Sequence, residues 1–336
     1  MCNLVCALNN YFFMTNSSIK ASSLCDIIDI KYPVIMAPMF LISNAAMLIE
    51  ANNAGITGCV PAHNYRKIED FKNAISSVRN KSNGPIGVNL IVNKSNIKFE
   101  QQLKCCVELK IDYIITSLGS PEKTIKACKP HGIKVFCDVV DVNYAKKVEA
   151  LGCDAVIAVN KEAGGHCGPT PANILIPELV NGLSIPVISA GGVSNGKQMK
   201  EMFELGACGI SIGSPFIATD EAEVSIEYKQ AIVDYGAKDI VLTEKLSGSP
   251  CTVINTPYVQ KVGTKRNFIE TILSKNKKLK KFVKMITWYK GTKALEKAAF
   301  NTTYDTVWCA GPSIEGVKSI RPVKQVIADL IEQYET

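Results

Sequence analysis

The sequence predicts an α/β chain whose strands and helices alternate until they close into a (β/α)8 TIM barrel with a C-terminal helical cap. Two observations carry this. Between residues 33 and 218 a short apolar run, a turn and a helical period recur eight times. The apolar runs are nearly continuous rather than alternating, as in strands buried on both faces of a parallel sheet.

The expected strands are Pro33–Pro38, Ile56–Val60, Ile86–Leu90, Tyr113–Ser117, Lys134–Asp138, Ala155–Val159, Pro186–Ala190 and Gly209–Gly213. Between them lie helical stripes. Ile68, Phe71, Ile75 and Val78 share one face. Ser120-Pro121 reads as a cap followed by proline at the first helical position. Val142, Ala145, Val148 and Leu151 form a stripe stopped by Gly152, and Met199, Met202 and Phe203 one stopped by Gly206. An open doubly wound sheet is the rival architecture. Eight regularly spaced strands favour closure, and no GxGxxG follows the first strand. Beyond Phe216 the regularity ends. Ser225–Tyr235 reads as helix, the stretch from Phe268 to Ile286 as amphipathic helix with lysines outward, and Val323–Tyr334 as a last helix. The expected division is 1–29 as an N-terminal extension, 30–220 as the barrel, and 221–336 as the cap and C-terminal helix.

The 336 residues bury a core easily, and 47% hydrophobic content with a mean hydropathy of +0.10 excludes a disordered tail protein. No run approaches the roughly 20 apolar residues of a spanning helix, so no membrane role is expected. Net charge is +7, but Lys261–Lys297 holds 12 Lys/Arg and 2 Asp/Glu, a local +10 that leaves −3 elsewhere. That is one patch, not a nucleic-acid footprint. It reads first as the solvated face of a helix. The 13 cysteines contain no CxxC pair, and several sit inside apolar runs. They read as reduced, buried thiols of a cytoplasmic protein, and no metal site is expected. Met1–Ser18 carries no charged side chain, so it reads as a poorly ordered extension and not a targeting signal.

In such a barrel the active site lies at the C-terminal ends of the strands. The candidates are Ala37-Pro38-Met39, Asn89, Ser117, Asp138, the Glu162-to-Gly168 stretch, Ala190-Gly191-Gly192 and Gly213-Ser214. Glycines let backbone N–H groups approach an anion, and the seventh and eighth strand ends are the usual phosphate site. Gly191, Gly192, Gly213 and Ser214 are therefore expected to bind phosphate, helped by a helix N-terminus opened by Ser194, Asn195 and Gly196. His166, flanked by Gly164, Gly165 and Gly168, has room for a ligand and exchanges protons near neutral pH. His63 and His131 have weaker cases. Cys167 has no adjacent cation to activate it.

Ala37-Pro38-Met39, Glu162-Ala163-Gly164-Gly165-His166, Ser189-Ala190-Gly191-Gly192 and Gly213-Ser214-Pro215-Phe216 resemble, in order and spacing, the nitronate monooxygenase family, formerly the 2-nitropropane dioxygenases. Its superfamily includes the FMN-dependent enoyl-acyl carrier protein reductase II. The resemblance runs from about Ile30 to Gln260 and resumes at Trp308-Cys309-Ala310-Gly311-Pro312-Ser313. It implies an FMN-binding barrel. Ala37 and Met39 would line the isoalloxazine, Asn89 would approach its polar edge, and the four phosphate residues would hold the phosphate. Asp138, Ala163, Gly164 and Gly165 join the cofactor-binding set, and His166 is the implied catalytic residue. Inosine monophosphate dehydrogenase, another flavin-barrel relative, needs a reactive-cysteine loop that Gly-Gly-His-Cys does not supply. Two departures stand out. Val159-Asn160 replaces a frequent Gln-Gly, and bulky Phe40-Leu41-Ile42 follows Ala-Pro-Met. Both are expected where substrate binds.

The leading function is oxidation of an alkyl nitronate by FMN and O2 to a carbonyl compound and nitrite. The alternative is reduction of an enoyl thioester by NAD(P)H through FMN, with the basic patch docking an acidic carrier protein or coenzyme A. A phosphate-ligand barrel without redox chemistry is the third. A small-molecule substrate is expected in the first two, and a homodimer is compatible with each.

Overall fold

The computed structural model describes residues 23–93, 96–246, 249–265, 291, 293, 296, 299 and 307–336. The expected extension over Met1–Ser18, the helix over 268–286 and most of the basic patch lie outside the described residues.

The barrel closes. Its strands are β1 (Val34–Met36), β2 (Thr57–Pro61), β3 (Ile86–Ile91), β4 (Tyr113–Ser117), β5 (Lys134–Val139), β6 (Ala155–Val159), β8 (Val187–Ala190) and β9 (Gly209–Ile212). All neighbours are parallel, and β1 pairs with β9 through Ile35↔Ser211. The first strand is shorter than the run that predicts it. Pro33 and Pro38 flank it, and proline has no N–H to extend a ladder. Helices α2 (Ala45–Asn53), α3 (Ile68–Lys81), α4 (Phe99–Glu108), α5 (Glu122–Cys128), α6 (Val142–Ala150), α7 (Ala172–Gly182) and α8 (Gly196–Glu204) alternate with the strands. Helix α5 begins one residue later than Ser120-Pro121 predicts, with Pro121 as its cap. Gly152 and Gly206 adopt φ of 89° and 99°, the left-handed conformation that ends a helix.

The barrel interior is filled by Ile35, Cys59, Tyr113, Ile115, Phe136, Ile157 and Ile188. Tyr113 stacks on Phe136 at 5.3 Å, and its ring occupies the space a Cβ on Gly87 would need. A short helix, α1 (Leu24–Ile27), plugs the N-terminal mouth. Leu24 is fully buried with Ile28 in that same interior cluster, and its amide donates to Cys208 O. Residues 23–28, which the sequence assigns to the extension, thus pack against the barrel.

At the opposite mouth lies a three-stranded antiparallel sheet of β10 (Ile240–Thr243), β11 (Cys251–Ile254) and β7 (Gly165–His166). Helices α9 (Ile226–Asp234) and α10 (Pro257–Val262) flank it in sequence. The last helix, α11 (Val323–Glu335), packs on α8, where the backbone of Gln333 and Tyr334 fills the space beside Gly196. No helix among the described residues is long and apolar enough to cross a membrane.

Candidate active site

One cavity of about 800 Å³ occupies the C-terminal mouth of the barrel. All twelve residues singled out in the sequence as catalytic or cofactor-binding line it. Strands from every quarter of the barrel bring them together, as the strand-end rule requires.

One side of the cavity is bare backbone. Gly191 and Gly192 follow β8 with φ of 113° and 84°. A Cβ on Gly191 would fall 2.3 Å from Asn160 Oδ1 and 2.5 Å from Ala163 N. Only glycine serves there, on both steric and conformational grounds. Gly213 lies beside Ala37 and Met39. Ser214 Oγ accepts a 2.8 Å hydrogen bond from Gly311 N, which draws the 308–313 segment against the turn. The helix N-terminus expected to join this cradle does not. Gly196 N donates to Gln333 Oε1, Gln198 N donates to Asn195 Oδ1, and none of Ser194, Asn195 or Gly196 lines the cavity. The C-terminal helix covers that end, a contact between positions 137 residues apart.

His166 is exposed to the cavity mouth and sits in β7, not in a free loop. It pairs with Cys251, and Gly165 pairs with Thr252. Thr252 Oγ1 donates to Ala163 O at 2.7 Å, which pins the glycine run from the far side. Cys167, beside it, is held above the ordinary thiol range chiefly by burial, so it is a poor nucleophile near pH 7.

The floor carries a polar chain. Asn89 Nδ2 donates to Ile115 O at 3.1 Å and to Ser117 Oγ at 2.7 Å. Ser117 Oγ donates to Asp138 Oδ2 at 2.5 Å. Burial pushes the Asp138 carboxyl up to about 6, and the Ser117 hydrogen bond opposes that rise.

Phe40, Leu41 and Ile42 line the cavity. Leu41 holds a left-handed φ of 64°. Asn64 imposes it: its Oδ1 accepts from Leu41 N, and its Nδ2 donates to Ser43 O, both at 2.9 Å. His63, the residue before that clamp, also lines the cavity, and burial lowers its pKa. Its position two residues past the end of β2 was the available signal. Asn160 is different. It is fully buried, outside the cavity lining, and its side chain joins Gly191 O to Glu162 N. The departure at 160 therefore braces the loop and does not face substrate. Tyr228 and Cys309 reach the same wall from distant segments, and no strand-end rule marks them.

The model of the nitronate monooxygenase family matches residues 94–333, well over half the chain. The chain belongs to the nitronate monooxygenase family, and thus to a family of oxidoreductases. A Rhodococcus jostii (strain RHA1) protein named (3aS,4S,5R,7aS)-5-hydroxy-7a-methyl-1-oxo-octahydro-1H-indene-4-carboxyl-CoA dehydrogenase is 25% identical over 85% of this chain and 80% of its own. A probable nitronate monooxygenase of Staphylococcus saprophyticus is 28% identical over 70% of this chain and 79% of its own. Among solved structures, FabK from Thermotoga maritima superposes with a TM-score of 0.81 at 29% identity, covering 93% of this chain and 95% of that one.

Proposed function

We propose that this family member is an FMN-dependent nitronate monooxygenase, converting alkyl nitronates and O2 to carbonyl compounds and nitrite. The observation that carries the reading is the cavity itself: a glycine-built anion cradle on one side, an imidazole at the mouth, and apolar walls between. The residues fit the cofactor. Gly191, Gly192, Gly213 and Ser214 would hold its phosphate, with N–H groups that no side chain screens. One cradle without a dinucleotide fingerprint suits FMN better than FAD. Ala37 and Met39 would lie along the ring, and the backbone of Ala163, Gly164 and Gly165 would border it. Asn89 has spent both amide hydrogens, so it offers its Oδ1 as an acceptor to a ring N–H. When bound, the flavin supplies the redox chemistry, taking electrons from substrate and passing them to O2.

The chain supplies position and charge. His166 stands at the mouth on a strand held by β11, able to hold a substrate oxygen or move a proton to or from it. Phe40, Leu41 and Ile42 exclude water from the substrate side.

A second reading, enoyl thioester reduction with NAD(P)H, draws on the size of the cavity, since about 800 Å³ exceeds what a flavin ring and a small nitroalkane need. The carboxyl-CoA named for the Rhodococcus relative is also a thioester. One experiment separates the two. The flavin of the purified protein is reduced anaerobically, once with propyl-2-nitronate and once with NADH. Bleaching by the nitronate, with nitrite formed in air, supports the first reading. Bleaching by NADH alone, reversed by an enoyl thioester, replaces it with the second. A colourless protein that takes up no FMN removes both.

A further inference from the structure

The hydrogens on the cavity floor can be accounted for one by one. Asn89 has two amide hydrogens, and both are spent, on Ile115 O and Ser117 Oγ. Ser117 has one hydroxyl hydrogen. Its oxygen accepts from Asn89, so that hydrogen goes to Asp138 Oδ2. Nothing in the triad is left to donate. The groups it presents are acceptors, and one of them is a carboxylate.

That carboxylate has no compensating cation among the described residues. Asn89 faces it from β3 and Ser117 from β4. Tyr144 lies near it on α6, with its hydroxyl donating to Gly119 O, and Cys59 lies near it in the barrel interior. Both Tyr144 and Cys59 are raised in pKa, in part by the Asp138 charge. His63, in the turn after β2, and His166, on β7, line the same cavity. Two influences act on the carboxyl: burial, which raises its pKa, and Ser117, which lowers it.

We propose that Asp138 makes the β3–β5 side of the cavity an acceptor-only wall that disfavours negative charge on its occupant, whether a reduced flavin or an anionic ligand. The inference rests on the flavin reading above. It gives Asp138 a role in orientation, because an N–H donor is favoured against that wall and the negative end of a ligand, a nitronate's included, is turned away from it. Its dependence on pH follows from the carboxyl, which titrates near 6. Above that pH the wall is charged. Below it Asp138 gains a proton, loses its charge and adds one donor.

The test is the midpoint potential of the FMN-loaded protein at pH 8 and pH 5, for wild type and Asp138→Asn. Removing the charge should favour flavin reduction at pH 8 by roughly tenfold, the order expected for one charge across such a cavity at an effective dielectric near 20. For a two-electron couple that is a rise of about 30 mV. At pH 5 the two proteins should converge. Equal potentials at pH 8, or a gap that persists at pH 5, would overturn the proposal. Should Asp138→Asn not fold, Ser117→Ala answers the same question. Losing the hydrogen bond raises the Asp138 pKa, so this variant should exceed the wild-type potential at pH 7 and match it at pH 9. An unchanged potential at pH 7 overturns the proposal. Wild-type protein that folds but takes up no flavin overturns the site reading, and the role of Asp138 with it.

Discussion

A single methyl group at residue 191 is enough to damage the cradle. Gly191→Ala would force a side chain into a left-handed turn and against Asn160 and the Ala163 backbone. The expected outcome is a folded protein with at least tenfold weaker FMN binding, read by fluorescence titration. His166→Ala should keep its fold and flavin, because the side chain is exposed and carries few core contacts. Its turnover should fall by roughly 100-fold or more, the range for a lost acid–base group. Asp138 has a stability consequence. Its pKa moves from an ordinary 3.8 to about 6 in the folded protein. The folded state therefore keeps a proton that the unfolded chain releases, and stability falls as pH rises from about 4 to 6. Asp138→Asn escapes this penalty. It should be more stable than wild type at pH 8, by up to roughly 3 kcal/mol, with the gap closing toward pH 4. Urea unfolding at the two pH values measures it.

At the scale of elements, the two ends of the barrel are closed by different means. The N-terminal mouth is plugged by α1, whose Leu24 is fully buried against Gly209. Leu24→Ala leaves a void in a packed interior and should cost about 2–5 kcal/mol. Because α1 lies at the mouth opposite the cavity, FMN affinity should change less than twofold. Denaturant unfolding and flavin titration of one preparation separate the two effects. The C-terminal mouth is instead roofed by the β10-β11-β7 sheet. A two-residue strand such as β7 has almost no local signal, and its partner Cys251 lies far along the chain. Long-range pairing, not strand propensity, sets the position of the histidine.

For the whole molecule, the cysteines report on the core. None of the eleven cysteines among the described residues is in a disulfide, and seven of them are buried. Burial pushes the thiols of Cys128 and Cys208 up to about 12, so they stay protonated and slow to react in the native state. Titration of the denatured, unreduced protein should find close to 13 thiols. The native protein should show far fewer in the first minutes, and denaturant should release the rest. Several protected disulfides would contradict the packing and the expectation of reduced thiols.

Sequence alone determined the barrel and the strand-end residues of the cavity lining, because both follow from short-range rules. Short continuous apolar runs bounded by turns read as strands buried on two faces. Once the strands are placed, Asn89, Asp138, Gly191 and Gly213 follow from the rule that loops at one end of the barrel converge. Tertiary structure decided what the local pattern does not encode. Asn160 became a buried brace because Gly191 O and Glu162 N fold around it. The helix opened by Asn195 lost its access to the cavity because α11, more than a hundred residues later, packs over its start. The Asn89–Ser117–Asp138 chain exists only because three adjacent strands share a register. A hydrogen-bond partner is a matter of distance in space, and a sequence read along its length records only distance along the chain.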